Sequence, residues 1–350
     1  MVVAGSLPHR QTAGMRSVIP AVGLTFAAVF FLASATASER GSESLSKPKL
    51  FHSLTEPPCS YCSTQNRKNL VRSDDVVLAW LRGAHNGGAF PLRHFIAAPR
   101  VINDTYGLFF YDPDGGYVSA FAKDYGYEFQ GWRYGVMVVK GKDGTLWSAL
   151  TGRGIEGPQK GKRLQRLPSM LTQWGYWLML HPESTAYDLF DGKKYPVAEL
   201  PTELSREAKE SMGKIDTRFH ALAPVLGVEA GESQKVFPLD VQQERACYMD
   251  TVGKTSVAVF WYGPTRTAVA WNARLGERTL TFHASDSSPE TAPFKDDETG
   301  TRWTLAGRAV DGPLRGQELQ WVESIQCRWY AWAAEYPQTE IHKPVKVAKQ

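Results

Sequence analysis

At 350 residues the chain is long enough for two domains of ordinary size, each burying its own core. Its formal charge of +4 is spread without any block of like charges, which argues against the basic stripe of a nucleic-acid binder, and no nucleic-acid partner is expected. Aromatic residues make up 12% of the chain, eleven of them Trp, and many recur at matched positions, which points to packing rather than to an exposed binding strip.

The N-terminus reads as an export signal over residues 1–37. Arg10 and Arg16 precede an apolar run over 18–32, which ends in the small-x-small pattern Ala35-Thr36-Ala37. The run is short for a bilayer span and holds Pro20 and Gly23, so cleavage is expected, with no stable membrane anchor afterwards. The expected location is exported: periplasmic, envelope-associated or secreted. Residues 38–73 form a polar spacer that carries Cys59-Ser60-Tyr61-Cys62. That spacing suits a structural bridge, a redox pair or half of a metal site. A metal would need two further ligands, available only from His52, His85, Cys247 or Cys327. In an oxidising compartment the four cysteines allow three disulfide pairings.

The rest of the chain says the same thing twice. Trp147 to Arg153, Gly157-Pro158, Gly161, Leu164-Gln165, Trp174, Trp177 and Pro182 are answered by Trp303 to Arg308, Gly312-Pro313, Gly316, Leu319-Gln320, Trp329, Trp332 and Pro337. The period is far too long for a solenoid. It defines repeat 1 over 74–190, a linker over 191–221 with a short exposed helix near 203–212, repeat 2 over 222–342 and a basic tail over 343–350. Short β-branched or aromatic runs separated by glycine turns predict strands at 76–81, 107–111, 134–140 and 146–150, then at 225–228, 256–262, 268–272 and 279–283. Apolar residues at Ile325, Trp329, Trp332, Ala333 and Tyr336, and at Met170, Trp174, Trp177, Leu178 and His181, predict one amphipathic helix closing each copy. The fold class is mainly β (α+β), two tandem β-rich repeats, with barrel and sandwich both open.

Phe90-Pro91-Leu92-Arg93, Ile102-Asn103-Asp104-Thr105, Leu146 to Gly152, Gly157 to Leu164 and His181 to Thr185, in that order, resemble domain-of-unknown-function family 3179 over about 74–342. The resemblance implies an exported bacterial protein whose reaction is unsettled. Many relatives carry Y-C-P-L-C-G after the N-D-T strand, with the first sulfur sometimes selenium. Here the chain reads Tyr111-Asp112-Pro113-Asp114-Gly115-Gly116, so Asp112 and Gly115 stand at the two sulfur positions and thiolate chemistry cannot be carried over. Asp112 and Asp114 offer a fragment of a hard-cation loop, or else a tight turn.

The remaining candidates are a loop histidine, His85, and two matched arginine loops. Arg153 with Lys160, Lys162 and Arg163, and Arg308 with Arg315, suit a shared anion site or solvated hairpins. Trp147 and Trp303 before these loops suit stacking on a sugar ring or core packing. Three functions follow: a non-catalytic binding module of the envelope or extracellular space, a thiol-redox or metal-handling protein using Cys59 and Cys62, or a structural protein.

Overall fold

Val76-Val77-Leu78-Ala79-Trp80 is apolar at successive positions rather than alternate ones, and a strand needs that only when both of its faces are buried. In the computed structural model, Val77 and Ala79 enter one core while Leu78 and Trp80 enter another. Residues 53–56, 71–82, 86–95, 99–122, 124, 126–187 and 201–343 are described. The expected export signal, Cys59, Cys62, His85 and most of the tail lie outside them.

In chain order the first half holds β1 (Leu54–Thr55), β2 (Val76–Arg82), β3 (Asn86–Pro91), β4 (Arg100–Asn103), β5 (Leu108–Asp112) and β6 (Tyr117–Phe121). It continues with β7 (Glu128–Arg133), β8 (Val136–Lys140), β9 (Leu146–Ser148), β10 (Gly154–Glu156), β11 (Ser169–Gln173), α1 (Trp174–Leu180) and β12 (Thr185–Ala186). After α2 (Arg206–Ser211) come β13 (Pro224–Ala230), β14 (Ser233–Pro238), β15 (Arg245–Val252), β16 (Thr255–Tyr262) and β17 (Thr267–Asn272). The chain ends with β18 (Arg274–Leu275), β19 (Arg278–Thr279), β20 (Phe282–Ala284), β21 (Phe294–Asp296), β22 (Arg302–Trp303), β23 (Ser324–Arg328), α3 (Trp329–Glu335) and β24 (Glu340–Ile341). The protein is mainly β, in several sheets, none closed into a barrel.

One four-stranded sheet runs β11-β2-β3-β12 and another β23-β13-β14-β24, each with two antiparallel pairings and one parallel edge. Meanders β4-β5-β6 and β15-β16-β17 lie beside them in the chain. The predicted strands are present to within a few residues. The closing helices start later than expected. Met170, Thr172, Ile325 and Cys327 sit in β11 and β23, and the chain turns helical only at Trp174 and Trp329. The apolar phase runs on unbroken because strand and helix face the same core.

Each closing helix packs on the sheet of its own half, Trp177 over Gly87 and Trp332 over Gly227, and also reaches the other half. Trp329, Tyr330 and Trp332 of α3 share a core with Leu108, Phe110, Tyr117, Met137 and Trp147 of the first half. Conversely, Trp174 and Trp177 of α1 share a core with Phe260, Tyr262, Val269 and Trp303 of the second. Two smaller clusters hold each four-stranded sheet to its own meander. Each half therefore keeps one small core of its own and shares the two larger ones.

Candidate functional site

The turn between β5 and β6, at Pro113-Asp114-Gly115-Gly116, is buried throughout. Pro113 fixes its backbone angle on entry, and Gly116 leaves it at φ +62°, a left-handed conformation that glycine adopts without penalty. Gly115 is required for a different reason. A Cβ there would lie 2.4 Å from Tyr117 Cε1 and 2.9 Å from Asp112 Oδ2. The Tyr117 ring fills the space that any larger side chain at 115 would need.

Three elements distant in sequence close over the turn. Arg328, the last residue of β23, donates its main-chain amide to Gly115 O at 2.8 Å and Nη1 to Asp114 O at 3.0 Å. Its Nη2 donates to Pro201 O. Both Asp114 carboxylate oxygens accept from Ser205, one from its amide at 2.6 Å and one from its hydroxyl at 2.7 Å. Ser205 also caps α2 by accepting from Ala208 N, so one serine ties the helix start to the turn. The third element, α3, lays Tyr330 against the β7–β8 turn, where a Cβ on Gly135 would meet its ring at 2.8 Å.

Asp112 is 0% exposed, with Oδ1 accepting from Asp114 N at 3.0 Å. Its Oδ2, the Tyr117 hydroxyl and the Tyr330 hydroxyl are all buried without a hydrogen-bond partner. Burial, and then the neighbouring Asp114 carboxylate, push the Asp112 carboxyl up to about 7. Burial likewise lifts both phenols well above their ordinary range, and each also feels Asp112. Tyr117 comes near Asp112 without reaching hydrogen-bond geometry.

The polar seam continues along α3. Ser148 Oγ donates to Glu335 Oε1 at 2.6 Å, and burial raises that carboxyl. Beyond it Tyr336 lies under the Arg153 guanidinium, 5.7 Å from ring to Cζ. Arg163 pairs with Glu229 at 3.1 Å and Glu323 at 3.3 Å, while Arg153 reaches Glu229 only at 3.9 Å. The two arginines of the first loop thus face carboxylates of the second half. Arg308 pairs with its neighbour Glu318 at 3.0 Å.

Trp147 and Trp303 are 3% and 0% exposed, and Trp303 Nε1 donates to Asp296 Oδ2 at 2.8 Å, so both rings pack in a core. Cys247 and Cys327 are free thiols in different cores, and burial raises both well above the usual thiol range. His85, Cys59 and Cys62 lie outside the described residues. Asn103, in a formal glycosylation sequon, is buried and accepts from Gly126 N and Tyr127 N at 3.0 Å. Among the described residues no group of three His, Cys, Asp or Glu converges as metal ligands.

Arg328, Tyr330 and Glu335 were not singled out from sequence, though a signal exists. At the 155-residue offset of the repeated motifs stand Gln173, Gly175 and Leu180, so polar groups are concentrated on one of two matching helices.

The class of molecule is a mainly β, multi-sheet protein with a buried polar turn held by Arg328 and Ser205. The chain belongs to the family described as protein of unknown function (DUF3179), whose model matches residues 136–339. No curated protein and no solved structure matches it. Among the described residues no helix is long and apolar enough to cross a membrane.

Proposed function

We propose that this protein is a non-catalytic binding module of the cell envelope or extracellular space, exported by its N-terminal signal and built as two tandem copies over 74–190 and 222–342. The matched sheet orders and shared motif spacings support the duplication. In this reading Asp112 and Gly115 replace the sulfur pair of relatives, and the seam between the β5–β6 turn and α3 seats the ligand. One observation carries it: buried polar atoms without partners gather at this seam, on Asp112, Tyr117 and Tyr330, and a ligand is what would satisfy them. The test is a thermal-shift panel of monosaccharides, polyols and small carboxylates on the mature chain. Stabilisation by at least one class, lost in Tyr330→Phe, is expected; a panel without any shift overturns the reading.

A second reading rests on the free state of Cys247 and Cys327. With those two unpaired, Cys59 and Cys62 are left to each other, as a bridge, a redox pair or a metal clip. Thiol titration with and without reductant, with metal analysis of the same sample, separates the three.

A further inference from the structure

The unpartnered atoms at the β5–β6 turn define a chemistry more narrowly than the binding reading requires. Asp112 and Tyr117 are fully buried and Tyr330 is 3% exposed, so bulk water does not satisfy Asp112 Oδ2 or the two hydroxyls. They belong to one locus. Asp112 Oδ2 and the Tyr117 ring edge converge on the same point beside Gly115, and Tyr330 packs in the same core as Tyr117, two residues after the Arg328 amide that donates to Gly115 O. Leaving three such groups unmet in a low-dielectric interior costs free energy at each one.

The surroundings restrict what can meet them. An anion would face the Asp112 and Asp114 carboxyls together. A metal ion would find, among the described residues, no converging set of three His, Cys, Asp or Glu side chains and would have the Arg328 guanidinium beside it, hydrogen-bonded to Asp114 O. An apolar group would leave all three atoms unmet. A neutral hydroxyl fits, because it both donates and accepts: it takes a proton donated by a tyrosine and gives its own to the carboxylate. With Asp112 protonated the roles reverse and every group is still matched. The matching helix seat, with Gly175 and Leu180 in place of Tyr330 and Glu335, lacks this set.

We propose that Asp112, Tyr117 and Tyr330 form a seat for a single hydroxyl group, supplied by a buried water or by an alcohol group of a small sugar or polyol. The seat deepens the binding reading above and rests on it for the sugar or polyol arm. Ser205 and Arg328 hold the Pro201–Ser205 segment across the turn, so an organic guest enters only when those contacts open.

The experiment is NMR of the full mature chain carrying labelled tyrosine, probed with glycerol and methyl glucoside. Long-lived water giving an Overhauser contact to Tyr117 and Tyr330, displaced by a probe that shifts the same signals, is the result for an alcohol guest. Contact that persists against both probes identifies water as the guest and equally supports the seat. Tyr330→Phe should abolish the water contact or weaken probe binding about tenfold, the loss of one hydrogen bond; Tyr117→Phe serves as the second variant should the first not fold. The seat is overturned when the wild type shows neither water contact nor shift, or when both variants retain the signal unchanged. A ligand found in the thermal panel with silent tyrosines keeps the binding module and removes the seat. A water contact with no ligand does the reverse.

Discussion

The Arg328 guanidinium donates to the main-chain oxygen of Asp114 at 3.0 Å, joining residues 214 positions apart in the chain. The contact is buried and made by a planar fork whose other arm reaches Pro201 O. Arg328→Ala would leave two carbonyls without that donor and is expected to lower stability by about 3 kcal/mol. Arg328→Lys should recover little, because an ammonium cannot span both carbonyls. Urea unfolding of both variants measures this; a loss below the scatter of exposed substitutions would mean that the clamp is not structural.

Asp112 makes stability depend on pH. An aspartate whose ordinary value is 3.8 and which burial pushes up to about 7 in the fold binds its proton more tightly in the native state. Its contribution is complete below about 3.8 and is lost as pH rises through about 7. Asp112→Asn cannot ionise, so the variant should gain on the wild type across that window, by up to about 4 kcal/mol. Parallel stability curves for the two proteins would show that Asp112 titrates normally.

At Gly115, alanine would press against the Tyr117 ring. Gly115→Ala is expected to cost at least about 2 kcal/mol. By the same geometry, Asp112→Cys with Gly115→Cys should leave free thiols or a misfolded chain rather than a restored sulfur pair. A native-like double variant with a closed bridge, seen as an absent thiol signal before reduction, would count against the packing described.

Among the cysteines, Cys327 is buried and its thiolate is suppressed, so alkylation of the native chain should leave it unmodified until unfolding. If Cys59 and Cys62 are bridged, denaturant alone should release the two thiols of Cys247 and Cys327, and reductant all four. Rapid modification of Cys327 in native buffer, located by mass spectrometry, would contradict its place in the core.

Much of the scaffold was legible because local chemistry dictates it. Glycine turns and β-branched runs placed the strands, and Asp112-Pro113-Asp114-Gly115-Gly116 is the turn its composition demands. The start of each closing helix was not legible, since Met170 and Ile325 keep the apolar phase of the helix while lying in a strand. Nor was the environment of Trp147 and Trp303. A tryptophan before a polar loop reads alike whether it faces solvent or a core, and only the long-range packing decides. That α1 and α3 also meet strands of the other half leaves no local mark at all, because an apolar helix face does not encode what packs on its far side. What sequence did offer, unused, was the contrast of Arg328, Tyr330 and Glu335 with Gln173, Gly175 and Leu180.

Those two shared cores should make the chain behave as a heterodimer whose subunits happen to be joined. A fragment ending before residue 201 would lack Arg328 on its β5–β6 turn and α3 in its core, and one beginning there would lack the partner for Phe260, Tyr262 and Trp303. Each piece alone should be insoluble or molten. Mixed, the two should recover a cooperative fold without a covalent link between them, and a protease cut between residues 187 and 201 should leave the halves together on a sizing column.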